Sequence, residues 1–197
     1  KALPSMSKTE KEALEAGTVW WEGDLFAGAP NWQKLLAYPW PKLSEEEQQF
    51  LDVETSELCR LTHEWESAQK QDLSQEVWDY IKSAGFLGMI IPKQYGGKGF
   101  SAFMHSQVVT KLSTRSSAAA VTVMVPNSLG PAELLLHYGT PEQKNHYLPR
   151  LAKGQEIPAF ALTSPWAGSD AASIPDAGVV CKGMWQGEEV LGVRVSF

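Results

Sequence analysis

A change of sequence period near residue 157 sets the limits on how this chain can fold. Between residues 44 and 155, apolar side chains recur every three or four residues, which is the spacing of amphipathic helices. From Ile157 onwards, short apolar and β-branched runs are separated by turn residues, which is typical of strands. Helices followed by strands indicate an α+β chain with segregated elements, and not an alternating α/β sheet.

Start signals divide the helical region into separate segments. The residues that begin helices are Ser44 and Thr140, which form capping boxes with Glu47 and Gln143, and Ser74, Ser101 and Pro131. The first of these signals predicts one long amphipathic helix that runs as far as Trp65. Gly85 is predicted to be the left-handed C-cap of the helix that Ser74 begins, and Gly154 to end the last helix.

The segment from Ser116 to Val125 fits two kinds of element. Its run of alanines favours a helix, whereas Val121, Thr122 and Val123 favour a strand. The residues by themselves therefore leave helix and strand both open.

Residues 1–43 form an aromatic-rich arm ahead of the helices. Ser7 and Glu10 make a capping box, which predicts a short helix that ends near Gly17. Glycines and prolines then break any long helix between the aromatic residues Trp20, Trp21, Phe26, Trp32, Tyr38 and Trp40. We expect this arm to pack on the chain's own helices, because indole rings bury well where their N–H finds a partner. Contact with a neighbouring subunit or a membrane surface is the alternative.

Three segments are predicted as strands, at residues 157–163, 178–185 and 189–197. The first of them runs into a turn of small residues, from Ala167 to Asp170. Small side chains let a ligand approach the main chain, and successive backbone N–H groups in such a turn can bind anionic oxygens. On this physics alone, a strand end followed by an ordinary turn is the simpler interpretation.

Charge and composition exclude several classes of protein. A net charge of -6 without a block of basic residues argues against a nucleic-acid partner. Cys59 and Cys181 are interpreted as reduced thiols, and neither they nor the histidines show metal-ligand spacing, so no metal site is predicted. No stretch reaches the roughly 20 apolar residues that cross a bilayer. The Gly-Gly-Lys-Gly string at residues 96–99 lacks the flanking strand and helix of a nucleotide-binding loop.

Three motifs resemble, in order and spacing, the flavin-contacting signature of the acyl-CoA dehydrogenases. They are NSLG at Asn127–Gly130, YGTPEQK at Tyr138–Lys144 and FALTSPWAGSD at Phe160–Asp170. The similarity extends from about Glu45 to the end of the chain. The arm, with WWEGD at Trp20–Asp24, resembles more narrowly the extended bacterial members of the family that degrade fatty acids.

This resemblance implies a domain organisation. It implies an all-α domain over residues 44–155, with a buried helix at residues 116–125, and the start of a β-barrel-like middle domain over residues 156–197. The chain begins without methionine and stops within an apolar, β-branched run, so we expect it to be a fragment of a longer protein. The middle domain would then be truncated.

The resemblance also implies a chemistry. Acyl-CoA dehydrogenases use FAD to oxidise an acyl-CoA to a trans-2-enoyl-CoA, with a glutamate that takes the α-proton and a flavin that takes a hydride. The positions implied to bind the cofactor are Phe160, Leu162, Thr163, Gly168 and Ser169, and Ser169 is also implied to meet the acyl-CoA. Two positions depart from the family pattern. Ser164 replaces a usual glutamate and Trp166 replaces a small residue, so we predict no flavin role for either.

The remaining implications concern the whole protein. The family's catalytic glutamate lies beyond Phe197, so the resemblance implies an enzyme whose 197-residue part is inactive alone. It implies medium or long acyl chains, an electron-transfer flavoprotein as electron acceptor, a homo-oligomer, and a cytoplasmic location. Hydrophobic segments upstream would allow peripheral association with the inner membrane. An acyl-CoA oxidase and a non-catalytic helical interaction module, with the aromatic arm as its contact surface, are the rival interpretations.

Overall fold

A computed structural model describes residues 8–17, 19–128, 130–159, 163–168 and 173–196. The chain divides into two compact units, one of residues 40–159 and one of residues 1–39 with residues 160–197. In the first unit the helices are α4 (Glu45–Asp52), α5 (Glu54–Leu61), α6 (Glu64–Lys70), α7 (Gln75–Ala84), α8 (Ala102–Ser113), α9 (Ser117–Met124), α10 (Pro131–Tyr138) and α11 (Pro141–Ala152). Single 3-10 turns lie at Phe86–Gly88 and Lys93–Tyr95.

The predicted helix starts are confirmed. The side chains of Ser44, Ser74, Ser101 and Thr140 each accept a hydrogen bond from the backbone amide three residues later. The capping boxes predicted at Ser44 and Thr140 are complete, whereas Ser7, the cap of the third predicted box, lies outside the described residues. At the other end of α7, Gly85 has a φ of 84° and its amide donates to the carbonyls of Ile81 and Lys82. The left-handed C-cap is therefore confirmed as well.

The prediction of one long helix from Ser44 to Trp65 is wrong, because the chain breaks after Asp52 and again after Leu61. At the first break, three consecutive carbonyls accept hydrogen bonds from side chains. The pairs are Thr55 Oγ1 to Phe50 O at 3.1 Å, Lys111 Nζ to Leu51 O at 2.5 Å and Ser56 Oγ to Asp52 O at 2.6 Å. Side-chain donors of this kind compete with the helical ladder. Lys111 comes from α8, so this break depends on tertiary contact.

The segment that the residues left open is the helix α9. Ser116 caps it, and its inward face buries Ala119, Ala120 and Val123. This face packs against α8. Val123 makes against a helix the apolar contact that it would make in a sheet, whereas Val121 is exposed, so tertiary packing overrides the strand preference.

The core of the helical unit gathers side chains from α4, α5, α7, α8, α9 and the connector after Gly85. Its members include Phe50, Leu58, Ile81, Phe86, Leu87, Met89, Phe100, Met104 and Leu112. The ring of Phe50 lies 4.7 Å from that of Phe86 and 5.2 Å from that of Phe100, centroid to centroid. A second cluster joins Ile91 to α10 and α11.

The arm contains α1 (Lys8–Ala16), α2 (Trp21–Phe26) and α3 (Trp32–Leu36). The Trp21 indole N–H donates to the carbonyl of Asn31 at 2.9 Å, and its ring lies 5.0 Å from that of Trp32. Neither α2 nor α3 has a buried residue. Trp20 and Tyr38 also stack edge to face. The arm is thus held by aromatic contacts within itself, and its packing on the chain's helices stays a prediction.

The remaining elements form a hairpin of β1 (Ala177–Trp185) and β2 (Glu188–Ser196), which pair antiparallel. Gln186 and Gly187 connect them with φ values of 51° and 88°, which is the two-residue turn that fits the twist of a hairpin. The predictions for residues 178–185 and 189–196 are confirmed.

The predicted strand over residues 157–163 is wrong for its described residues. Ile157, Pro158, Ala159 and Thr163 lie in no strand, and residues 160–162 lie outside the described part of the chain. A strand needs a hydrogen-bonded neighbour, and β1 and β2 pair only with each other among the described residues. Pro158 has no N–H to contribute to such a pair.

Candidate functional site

A closed turn from Ser164 to Ala167 is the local structure on which the predicted site depends. The Ser164 amide donates to the Ala167 carbonyl at 3.1 Å. The Ser164 hydroxyl oxygen accepts from the amides of Trp166 at 3.3 Å and Ala167 at 3.2 Å. Serine before Pro165 is a favourable start for such a turn, since proline sets the backbone angle of the next position. Ala167 is buried, whereas the Trp166 side chain is 84% exposed.

These hydrogen bonds bear on one amide of the N–H pocket predicted over Ala167 to Asp170, and Ser169 and Asp170 lie outside the described residues. The amides of Trp166 and Ala167 are already occupied by Ser164, so they are not available to a phosphate oxygen. Ser164, which departs from the family pattern, therefore has a structural role, because its hydroxyl closes the turn. The Ser-Pro pair is the sequence signal that would have indicated this role.

Two predicted cofactor-binding residues flank the closed turn. Thr163 is exposed, and its hydroxyl has no hydrogen-bond partner within the described residues. Gly168 is also exposed, and no heavy atom lies within 4 Å of the position that a Cβ would take there. Phe160, Leu162 and Ser169, the other three predicted residues, lie outside the described part of the chain. Among the described residues, nothing therefore occupies the Thr163 hydroxyl or obstructs the backbone at Gly168.

The NSLG motif begins with a residue that is structural in this fold. The Asn127 side chain is only 2% exposed. Its Nδ2 donates to the carbonyls of Phe86 at 2.6 Å and Val123 at 2.9 Å, and its Oδ1 accepts from the Ile90 amide at 3.2 Å. Asn127 therefore joins the end of α9 to the connector after α7, and both of its side-chain N–H donors are used within the fold.

The YGTPEQK motif is a helix start. Thr140 and Gln143 form the capping box of α11, and Pro141 occupies the first helical position. The Tyr138 side chain at the end of α10 is exposed. Helix capping therefore accounts for Thr140, Pro141 and Gln143 of this motif.

The described residues contain no group of His, Cys, Asp and Glu side chains that could hold a metal ion. None of their helices is long and apolar enough to cross a membrane. Among the titratable groups, burial lowers the pKa of His105 on α8, whose Nε2 is buried without a partner. No described residue of the turn from Thr163 to Gly168 is an acid or a base.

A sequence model described as "Acyl-CoA dehydrogenase, N-terminal domain" matches residues 44–155. The chain belongs to the acyl-CoA dehydrogenase family. The predicted membership of this family is thereby confirmed, and the matched residues include the first two of the three motifs.

Alignments with relatives and solved structures of the family include most of this chain but only a minor part of each of those proteins. The chain is 31% identical to the human mitochondrial very long-chain specific acyl-CoA dehydrogenase over 180 residues, which are 89% of this chain and 27% of that protein. It therefore spans about a quarter of the length of the curated relatives that it matches.

Two acyl-CoA dehydrogenase structures share the fold. The butyryl-CoA dehydrogenase of Megasphaera elsdenii matches with a TM-score of 0.62 at 26% identity, over 78% of this chain and 40% of that one. An acyl-CoA dehydrogenase of Bacillus anthracis, solved in complex with FAD, matches with a TM-score of 0.58 at 25% identity, over 70% of this chain and 24% of that one. The predicted α+β class, with helices first and strands after, is confirmed as part of this fold.

Proposed function

We propose that this chain is part of a FAD-dependent acyl-CoA dehydrogenase that converts medium- or long-chain acyl-CoA to trans-2-enoyl-CoA in fatty-acid β-oxidation. The observation that carries the proposal is the Thr163 hydroxyl, which has no hydrogen-bond partner among the described residues and lies beside a closed turn, in a chain whose residues 44–155 match the family. FAD supplies hydride acceptance when it is bound.

The residues present fit the cofactor. The Thr163 hydroxyl, which has no partner within the part of the chain that the structure describes, can donate to the polar edge of a flavin ring and so favour the negative charge that builds there. The open position at Gly168 lets a bulky ligand approach the backbone. Phe160 and Leu162 are proposed to line the ring, and Ser169 to bind the diphosphate and the acyl-CoA. Since the amides of Trp166 and Ala167 are occupied, the diphosphate is assigned to residues after the turn.

The base that removes the α-proton is proposed to come from outside these residues. No acid or base lies in the turn from Thr163 to Gly168, and this chain spans 27% of the human relative. We therefore expect residues 1–197 alone to be inactive. For the whole protein we propose a homo-oligomer in the cytoplasm, with an electron-transfer flavoprotein as electron acceptor. Peripheral association with the inner membrane is the alternative location.

The test is the visible spectrum of the purified full-length protein, before and after addition of a long-chain acyl-CoA without oxygen. Flavin absorption that bleaches on addition would support both the cofactor and the reaction. Rapid peroxide formation in air would support an acyl-CoA oxidase instead. A colourless protein that added FAD cannot fill would overturn the proposal, and the exposed aromatic arm would then favour an interaction module.

Thr163→Val tests the proposed hydrogen bond to the flavin. We expect FAD affinity to fall about fivefold, because one hydrogen bond contributes about 1 kcal/mol. Thr110→Val is the matched control, since Thr110 is exposed on α8 and its hydroxyl also has no partner within the described residues. Equal FAD affinity and an equal flavin spectrum in both variants would remove Thr163 from the site.

A further inference from the structure

An open groove lies in the helical unit between the end of α7, the turn at residues 96–98 and the end of α11. Its volume is about 540 Å³. Three lysines line it, Lys82, Lys98 and Lys153, together with the carboxylate of Asp79. None of the residues predicted to contact flavin is among them. The volume lies within the range of small-molecule sites, which is about 300–1,000 Å³.

The side chains of Lys82 and Lys98 are held in place along the groove. Gly85 and Gly154 both have positive φ, and a Cβ at either would collide with a lysine stem: with Lys98 Cε at 2.9 Å and with Lys82 Cγ at 2.9 Å. The aliphatic stem of Lys98 therefore lies against the backbone of Gly85, and that of Lys82 against the backbone of Gly154, because glycine has no side chain there. The Lys98 ammonium lies 5.0 Å from the Phe50 ring, and that of Lys82 lies 5.8 Å from the ring of Trp78. Aromatic faces favour a cation at this range.

The groove carries an excess of positive charge. Within the described residues, Lys82, Lys98 and Lys153 have no carboxylate partner, and Asp79 instead accepts from the side chain of Gln75 at 2.8 Å. Three ammonium groups and one carboxylate leave an excess of two positive charges in a chain whose net charge is -6. Like charges that share a site repel each other unless an anion binds between them.

We propose that the groove of Lys82, Lys98 and Lys153 binds a phosphate-bearing small molecule. A lysine ammonium is a compact point charge that suits phosphate, and a dianion balances the excess charge. The lining contains no arginine, whose planar fork suits the carboxylates of an acidic protein segment better. The amides of Gly96, Gly97 and Lys98 donate to backbone carbonyls, so binding depends on the ammonium groups and not on a backbone loop.

Isothermal titration of the 197-residue chain with inorganic pyrophosphate, and separately with ADP, tests this proposal. Lys98→Met keeps the stem over Gly85 and removes the charge, and Lys153→Gln removes an exposed charge without disturbing either packed stem. We expect each change to weaken pyrophosphate binding about tenfold, in line with a lost charged hydrogen bond. Lys42→Met is the control, because Lys42 is exposed and lies outside the groove. This variant should bind pyrophosphate with the same affinity as the unchanged chain.

Added salt should also weaken binding, since exposed charges are screened. If ADP binds more tightly than pyrophosphate, the phosphate belongs to a nucleotide. If the two bind equally, the ligand is a simple phosphate. Absence of pyrophosphate binding, or equal loss in Lys42→Met, would overturn the proposal. Binding of a polyglutamate peptide that pyrophosphate does not displace would overturn it in favour of an acidic protein partner. Melting curves without ligand establish that Lys153→Gln remains folded.

Discussion

At the scale of single residues, Asn127 shows how one side chain connects separate stretches of backbone. Its three hydrogen bonds reach Phe86 and Ile90 in the connector and Val123 in α9. The site is buried, so no water can replace these partners without a rearrangement. Loss of the amide therefore leaves buried backbone groups unsatisfied, which costs more than the hydrogen bonds themselves contribute.

Asn127→Ala is expected to lower the free energy of unfolding by about 3 kcal/mol, because an unsatisfied buried polar group costs about 1–3 kcal/mol. Urea denaturation measures the loss. Asn145→Ala is the control, since Asn145 is exposed on α11 and should change stability by less than about 0.5 kcal/mol. Similar losses in the two variants would show that the Asn127 hydrogen bonds are not important for stability.

At the scale of elements, the Glu47 carboxylate links the starts of α4 and α8. One oxygen accepts from the Ser44 amide at 2.8 Å, and the other accepts from the Ser101 amide at 2.7 Å. The capping box accounts for the first contact, but the second crosses between helices far apart in sequence. Burial acts to raise the pKa of Glu47, and the hydrogen bonds from Ser44 and Ser101 outweigh it, so that the pKa is lowered from its ordinary value.

This lowered pKa predicts an acid-sensitive contribution to stability. Glu47 stays ionised in the folded chain at pH values where it is protonated in the unfolded chain. Its contribution is therefore complete above the unfolded pKa, which is about 4.3, and is lost as pH falls through the lower folded pKa.

Glu47→Gln should accordingly be less stable than the unchanged chain at pH 7 and should lose less of its stability between about pH 5 and pH 3. Thermal melts across this range measure the difference. Glu45→Gln changes an exposed residue of the same first turn, and its stability should depend on pH as steeply as that of the unchanged chain. If Glu47→Gln left the pH dependence of stability unchanged, the acid-sensitive contribution would not come from Glu47.

At the scale of the whole molecule, the two units differ in how much apolar surface they bury. The buried apolar residues of the described chain lie between Phe50 and Ala152, except Ala167. The hairpin instead exposes large apolar side chains, namely Val179, Val180, Met184, Trp185, Val190, Leu191, Val193 and Val195. A two-stranded sheet without a covered face is at best marginally stable. The stability of the chain therefore resides in the helical unit.

Residues 40–159 by themselves should fold and unfold cooperatively. We expect their melting temperature, followed by circular dichroism, to lie within a few degrees of that of the 197-residue chain, because Ala167 is the one buried apolar residue among the removed residues that the structure describes. Residues 160–197 alone should show no cooperative transition. A non-cooperative melt of residues 40–159 would contradict the division of the core between the two units.

The local features of this fold were open to prediction from neighbouring residues. The caps at Ser44 and Thr140, the C-cap at Gly85 and the hairpin turn at Gln186 each follow from two to four adjacent residues. Their hydrogen bonds close within one turn of chain, so the sequence pattern contains the whole of the physical cause.

The family and the succession of helices and strands were likewise determined by the sequence by itself, since periodicity and motif spacing are properties of the linear chain. Only the tertiary structure decided the break after Asp52, where Lys111 reaches the carbonyl of Leu51 from another helix. It also decided the helical state of α9, the burial of Asn127 and the convergence of Lys82 and Lys98 on one groove. These features arise from contacts between residues distant in sequence, which local propensity does not encode.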